Sequence, residues 1–178
     1  NTVLVNWINE NTKCNLTEDP RNSHILLLAL KNKHYKLASK LISLKAVQNC
    51  VDSDNGKNIL HYIAESKSVG LLSLIDIEKL GRDAGLLSQY DLEQGFCPEH
   101  YATQVSFVTF LDVIREHVDL DSNLTTSGKT ILQVAIESGS SDVLKYLLEH
   151  ELIESFEDII IDIYKNSPGY SAQFCFIE

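Results

Sequence analysis

The sequence predicts an all-α solenoid of about four stacked helix-turn-helix units joined by short hairpin turns. Three observations carry that prediction. Apolar residues recur at helical spacing through most of the chain. Equivalent outer positions, Val3, Leu37, Leu71, Phe110 and Val143, lie 34, 34, 39 and 33 residues apart. Each segment also has the same internal order: a turn, an inner helix with a small residue near its middle, then an outer apolar pair repeated four residues on. One such unit cannot bury its own apolar face, so neighbours must stack to complete a core.

The units follow in order along a single array spanning 1–178. Residues 1–18 read as the tail of a partial unit, with Val3-Leu4 followed by Trp7-Ile8. Residues 19–51 hold His24-Ile25-Leu26-Leu27-Leu28-Ala29, then Leu37-Ala38 and Leu41-Ile42. Residues 52–90 hold Gly56 to Ala64, then Leu71-Leu72 and Ile75. They also contain an insertion of about five residues by the period argument, placed within 76–94. Its segment Leu80 to Leu87 reads as a helix end and an extra helical turn. Residues 91–124 hold Gly95 to Ala102, then Phe110-Leu111 and Ile114. Residues 125–157 hold Gly128 to Ala135, then Val143-Leu144 and Leu147-Leu148. Residues 158–178 read as a terminal cap or a truncated repeat, with Phe174 and Phe176 after a turn at Gly169.

Physical reasons support the residue choices. Glycine supplies the positive φ of each hairpin, and Asn22 is expected to do so in the first clear copy. Ala29, Ala102 and Ala135 let neighbouring inner helices approach closely; Ile63 departs from this pattern, with Ala64 beside it. The outer Val/Leu pairs give one apolar stripe.

A period near 33 and a recurrent G-x-T-P-L-H-x-A-like start resemble the ankyrin-repeat family. The resemblance covers nearly the whole chain, although each copy is degenerate. It places His61 and His100 at the histidine that ties adjacent turns together, with Leu27 and Gln133 replacing it in the other units. Glu99 stands where the family has Leu, so it is expected either to point outward or to mark a local rearrangement. The resemblance implies a protein–protein interaction module that uses a concave face of hairpin tips and inner helices, with no catalysis. Carried over by position, the partner-binding residues are Lys57, Glu65, Glu93, Gln94, Phe96, Gln104, Val105, Lys129, Glu137 and Ser138. Arg21, Ser23, Lys31 and Asn32 occupy the same face in the first clear unit. Phe96 is expected to be an exposed aromatic anchor, with packing on segment 80–90 as the alternative. A second hypothesis is a targeting or substrate-recognition domain of a larger enzyme, such as an intracellular-pathogen effector. A third is a structural spacer.

Charge narrows the partner. The chain has a formal net charge of −10, the wrong sign for displacing counterions from nucleic acid. Residues 1–90 carry 11 bases and 9 acids, and residues 91–178 carry 4 bases and 16 acids. The halves are therefore +2 and −12. The basic side contains Lys31, Lys33, Lys36, Lys40 and Lys45; the acidic end contains Glu149, Glu151, Glu154, Glu157, Asp158 and Asp162. A protein partner with a basic surface is expected, and neither nucleic acid nor membrane insertion.

Cys14, Cys50, Cys97 and Cys175 form no CxxC pair, and their wide spacing suits reduced thiols in a cytoplasmic protein, the host cytoplasm if the chain is a secreted effector. Two glycosylation sequons, at Asn15 and Asn123, are read as unused. With no Met anywhere, the chain is expected to be an excised or processed piece, with further domains or repeats in the same protein. Cys97-Pro98-Glu99-His100 gathers a thiol, a carboxylate and an imidazole, but catalytic Cys and His usually come from distant positions. By the resemblance, Cys97 falls at the family's Thr position and His100 at its His position, so the run reads as structural. No metal, cofactor or catalytic residues are assigned.

Overall fold

The computed structural model describes residues 20–43, 50–83, 85–120 and 123–152. The partial unit expected at 1–18 and the cap or truncated repeat expected at 158–178 lie outside the described residues. Among those described, the chain is helical, with one isolated bridge between Val51 and Asn58.

Helices α1 (Pro20–Lys31) and α2 (Tyr35–Ser43) form the first pair. The next pairs are α3 (Ile59–Ser66) with α4 (Val69–Leu72), α5 (Pro98–Gln104) with α6 (Val108–Ile114), and α7 (Ile131–Ser138) with α8 (Ser141–Glu149). Contacts run along two rows. Helices α1, α3, α5 and α7 pack consecutively, as do α2, α4, α6 and α8. The core lies between the rows, where Leu26, Leu41, Ile59, Leu60, Ile63, Tyr101, Phe110, Leu111, Ile114 and Leu147 are fully buried. Ala29, Ala102 and Ala135 are buried as expected, and Ile63 is accommodated with no exposure at all.

Each inner helix ends in one left-handed residue that turns the chain into the outer helix. These are Lys33, Lys67, Ser106 and Gly139, with φ of 58, 52, 55 and 67°. Only one of the four is glycine, so three positions carry a conformational cost that the surrounding turn offsets. Three backbone bonds repeat there: the amides of His34, Phe107 and Ser140 donate to the carbonyls of Ala29, Ala102 and Ala135.

Two expectations are corrected. Asn22 does not supply a left-handed hairpin residue, because α1 already begins at Pro20 and includes it. Proline favours the first turn of a helix, where its missing N–H costs nothing. Arg21 and Ser23 therefore lie on a helix and not on a hairpin tip.

The insertion contains a π-helical turn at Lys79–Asp83 and a 3-10 turn at Leu86–Ser88. It folds inward: Leu80, Leu86 and Leu87 are buried. The Asn58 side-chain amide donates to Leu86 O at 2.8 Å and to Gln89 Oε1 at 3.1 Å, fastening the insertion to the start of α3. Helix α4 is only one turn long, and the first inserted turn begins at Lys79.

Candidate functional site

The inner helices start with one device used three times. Asn58 with His61, Cys97 with His100, and Thr130 with Gln133 each form a capping box. In each pair the first residue's backbone N–H donates to the second residue's side chain, at 3.2, 3.2 and 3.1 Å. The accepting atoms are His61 Nδ1, His100 Nδ1 and Gln133 Oε1, so one donor that the helix itself cannot pair is satisfied at each start.

His61 also links neighbours. With Nδ1 accepting, the remaining proton is on Nε2, which lies 3.0 Å from Phe96 O and donates to it. Burial pushes His61 down to about 4, although the Phe96 carbonyl works against that shift. His100 is likewise held down to about 4 by burial. The Asn123 backbone beside the ring opposes that shift, while Nε2 makes no well-formed hydrogen bond among the described residues.

Glu99 overturns the expectation that it points outward. It neither points outward nor breaks the helix; its side chain is fully buried inside an intact first turn of α5. The Asn123 side-chain amide donates to Glu99 Oε1. Burial pushes the Glu99 carboxyl up to about 7, so retention of its proton removes most of the cost of burying a charge. The Asn123 amide of the second sequon is thus engaged inside the fold. The donor atoms of Cys97, Glu99 and His100 lie within 4.8 Å of one another. However, His100 Nδ1 is occupied by the Cys97 N–H, and burial raises the Cys97 thiol well above its usual range. Glu99 Oε1 and His100 Nδ1 are 3.8 Å apart, but with the imidazole neutral the contact is not an ion pair. The arrangement forms a buried helix start, and burial favours the Cys97 thiol over the thiolate.

Among the positions expected to meet a partner, Phe96 is the clearest correction. It is only 9% exposed, and its ring packs against His100 and Tyr101, each with centroids at 5.5 Å. Aromatic burial is worth more than exposure on a turn. Lys57 is corrected too: its side chain is 8% exposed. Its ammonium lies 3.4 Å from Glu65 and 3.5 Å from Glu93, and 4.4 Å from the Tyr101 ring centroid. Val105 is half-buried against the core. Glu65, Glu93, Gln94, Gln104, Glu137 and Ser138 are exposed. Lys129 is half-buried and pairs with Glu137 at 2.7 Å.

A rung repeats here. Lys57–Glu65 and Lys129–Glu137 join the residue after a turn glycine to an inner helix, with the same eight-residue separation. The intervening unit has Phe96 and Gln104 at those places, so its rung is neutral.

Sequence reasoning missed Leu92, which is 74% exposed beside the Gly56 hairpin and is the most exposed large apolar side chain among the described residues. It also missed two Asp–Tyr pairs. Tyr62 donates to Asp52 at 2.7 Å, and Tyr101 to Asp91 at 3.1 Å. Their common ten-residue separation, repeated 39 residues on, was visible in the sequence. Lys31 reaches from α1 to Asp52 at 2.9 Å and Asp54 at 3.0 Å, raising the lysine well above its usual range through those hydrogen bonds.

The charge expectations are described only in part. Lys33 and Lys36 are exposed, Lys40 is half-buried, and Glu149 and Glu151 are exposed; Lys45 and the acids from Glu154 onward lie outside the described residues. Among the described residues, no helix is long and apolar enough to cross a membrane. No protein-family model matches the chain, and no curated protein matches it.

Proposed function

We propose that the chain is an ankyrin-type array that binds another protein through its hairpin tips and the exposed side of α1, α3, α5 and α7, without catalysing a reaction itself. The observation that carries this reading is the regular return of one turn-and-cap device. Gly56, Gly95 and Gly128 have φ of 73, 67 and 80°, and each precedes a capping box by two residues. Repeating the device stacks equivalent tips along one edge, where Asp54, Leu92, Glu93, Gln94, Thr126 and Ser127 are exposed. Such an edge offers an extended surface for docking.

The site chemistry supports binding over catalysis. Cys97, Glu99 and His100 are all buried, and burial favours the neutral form of each. A reactive thiolate needs an electropositive, accessible setting.

A pull-down with the intact chain tests this reading, repeated with Leu92→Ser and Gln104→Arg together. Both side chains are exposed, so the thermal unfolding midpoint should stay within a few degrees. Loss of one specific protein supports the docking edge. Equal recovery of every captured protein, with matched folding, refutes it.

A further inference from the structure

We infer that the outer row of helices pairs with a second copy of this chain about a two-fold axis, through a face that is complementary to itself. The inference goes beyond the docking edge proposed above, because it uses the opposite side of the array.

The argument begins with a hole and a knob on one surface. Helix α4 carries no charge. It and the two residues after it present Val69, Gly70, Ser73 and Leu74 to solvent. A methyl group at Gly70 would meet only Ser68 Oγ, at 4.0 Å, so this side of α4 is open. Between α4 and α6 lies a concavity of about 400 Å³, walled by Val69, Leu72, Ile75, Ile77 and Val113. Its one charged lining residue, Asp76, accepts the Lys79 amide at 3.1 Å. Leu74 is 43% exposed and does not line the concavity, although its neighbours Ser73 and Ile75 do. It therefore stands beside the hole as an apolar knob. Val69 and Val113, 55% and 40% exposed, extend the same apolar patch. Contiguous patches of this kind mark interaction surfaces.

Charge identifies what covers the patch. On one side, α2 carries Lys36 and Lys40, which lie opposite its buried Ala38, Leu41 and Ile42, and it has no acid. On the other side, α6, α8 and the turn between Arg115 and Glu116 carry four acids, Asp112, Glu116, Asp142 and Glu149, against two bases, Arg115 and Lys145. Arg115 pairs with Asp112 at 3.4 Å, and Lys145 with Glu149 at 3.6 Å. Glu116 and Asp142 are left without an ion pair among the described residues, and so are Lys36 and Lys40. Two unpaired cations thus flank the apolar patch on one side and two unpaired acids on the other.

In a two-fold interface the same patch meets itself, so the surface must carry its own complement. An axis through the groove sets α4 of each copy against α6 of the other, and α2 against α8. Leu74 of each copy then approaches the groove of the other, and the free lysines approach the free acids. A partner of a single charge would match only one flank. Apolar burial supplies the affinity, and the charges fix the orientation. The docking edges remain free, one on each copy.

Sedimentation velocity of the full chain over a concentration series to about 100 µM tests the inference. The mass should rise from 20.0 kDa toward twice that value. Leu74→Ser should raise the dissociation constant at least about tenfold. Two charge-reversed variants give the sharper readout: Lys36→Glu with Lys40→Glu, and Glu116→Lys with Asp142→Lys. None of these side chains has an ion pair to lose among the described residues, and circular dichroism confirms that the variants are folded. Each variant alone should remain monomeric, because like charges then face each other on both flanks. An equimolar mixture of the two should regain the dimer, since each supplies the sign the other lacks. A monomer at every concentration overturns the inference. So does a dimer that Leu74→Ser leaves intact, a charge-reversed variant that associates alone as wild type does, or a mixture no more associated than its components.

Discussion

The Tyr101 hydroxyl donates to Asp91 Oδ2 at 3.1 Å, and that same oxygen accepts from the backbone amides of Glu93 and Gln94 at 2.9 and 3.1 Å. The other Asp91 oxygen accepts from the Phe96 amide at 2.7 Å. One buried carboxylate therefore closes the hairpin and fastens it to α5. Burial alone would raise Asp91, but its backbone and tyrosine donors outweigh that and hold it below the usual carboxylate range.

Asp91→Ala should strand those donors in a buried turn. A loss of about 3 kcal/mol is expected, since breaking one side of a buried charged network commonly costs this much. Tyr101→Phe removes a single hydrogen bond and should cost only about 1 kcal/mol. Urea unfolding of both variants checks the ranking, which a larger loss for Tyr101→Phe would refute.

Glu99 sets an opposite pH dependence. Its folded value is raised from 4.5 to about 7, so its stabilising effect is complete below 4.5 and disappears as pH rises through about 7. Above that, wild type is less stable by about 3 kcal/mol, the free energy of such a shift. Glu99→Gln keeps an acceptor for Asn123 and cannot ionise. The variant should exceed wild type by about that amount in alkaline buffer and match it within about 1 kcal/mol near pH 5. Denaturant midpoints in the two buffers provide the measurement. Equal midpoints in alkaline buffer would mean that the carboxylate is already solvated.

His61 and His100 work in the other direction. Both are lowered from 6.5 to about 4, so the stability they contribute is full above 6.5 and is lost as pH falls through 4. By about pH 5 each should have lost about 2 kcal/mol. The Glu99→Gln background isolates this effect, because Glu99 otherwise gains stability over the same interval. Unfolding free energies at about pH 7 and pH 5 in that background should differ by about 4 kcal/mol. No difference would place both imidazoles in water.

The repeat and the paired rows of helices were legible because periodic burial requires periodic apolar residues. Leu71, Phe110 and Val143 are all buried at matching outer-row places. The tie from His61 to the next turn was expected from the family resemblance and is seen at Phe96 O, whereas its capping of α3 was not foreseen. Phe96 was not legible either: a hairpin position says nothing about which way a ring turns, and here Tyr101 and His100 offered it apolar contact. Lys57 was misplaced for a related reason. Its long side chain folds back over Tyr101, a three-dimensional contact between two different units. Glu99 was judged as a charge, whereas burial favours its protonated form.

Gly95 gives the strictest test of how the units stack. It has a φ of +67°, and its carbonyl accepts the Thr126 amide of the next hairpin at 2.9 Å. A methyl group at this position would lie 1.6 Å from Thr126 Oγ1 and 2.7 Å from its Cβ. Gly95→Ala thus meets two obstacles: a left-handed backbone that alanine resists, costing about 1 kcal/mol, and a collision that must push the hairpins apart. Gly128 shares the backbone feature, with φ of +80°, but a methyl there meets nothing within 4 Å. The pair therefore separates backbone strain from stacking. Gly128→Ala should lose about 1 kcal/mol and Gly95→Ala at least about twice that. Thr126→Ser removes the methyl Cγ2 at 2.9 Å but leaves the oxygen in place, so it should recover only part of the Gly95→Ala deficit. Equal losses at the two glycines in urea unfolding would show that adjacent hairpins are not in tight contact.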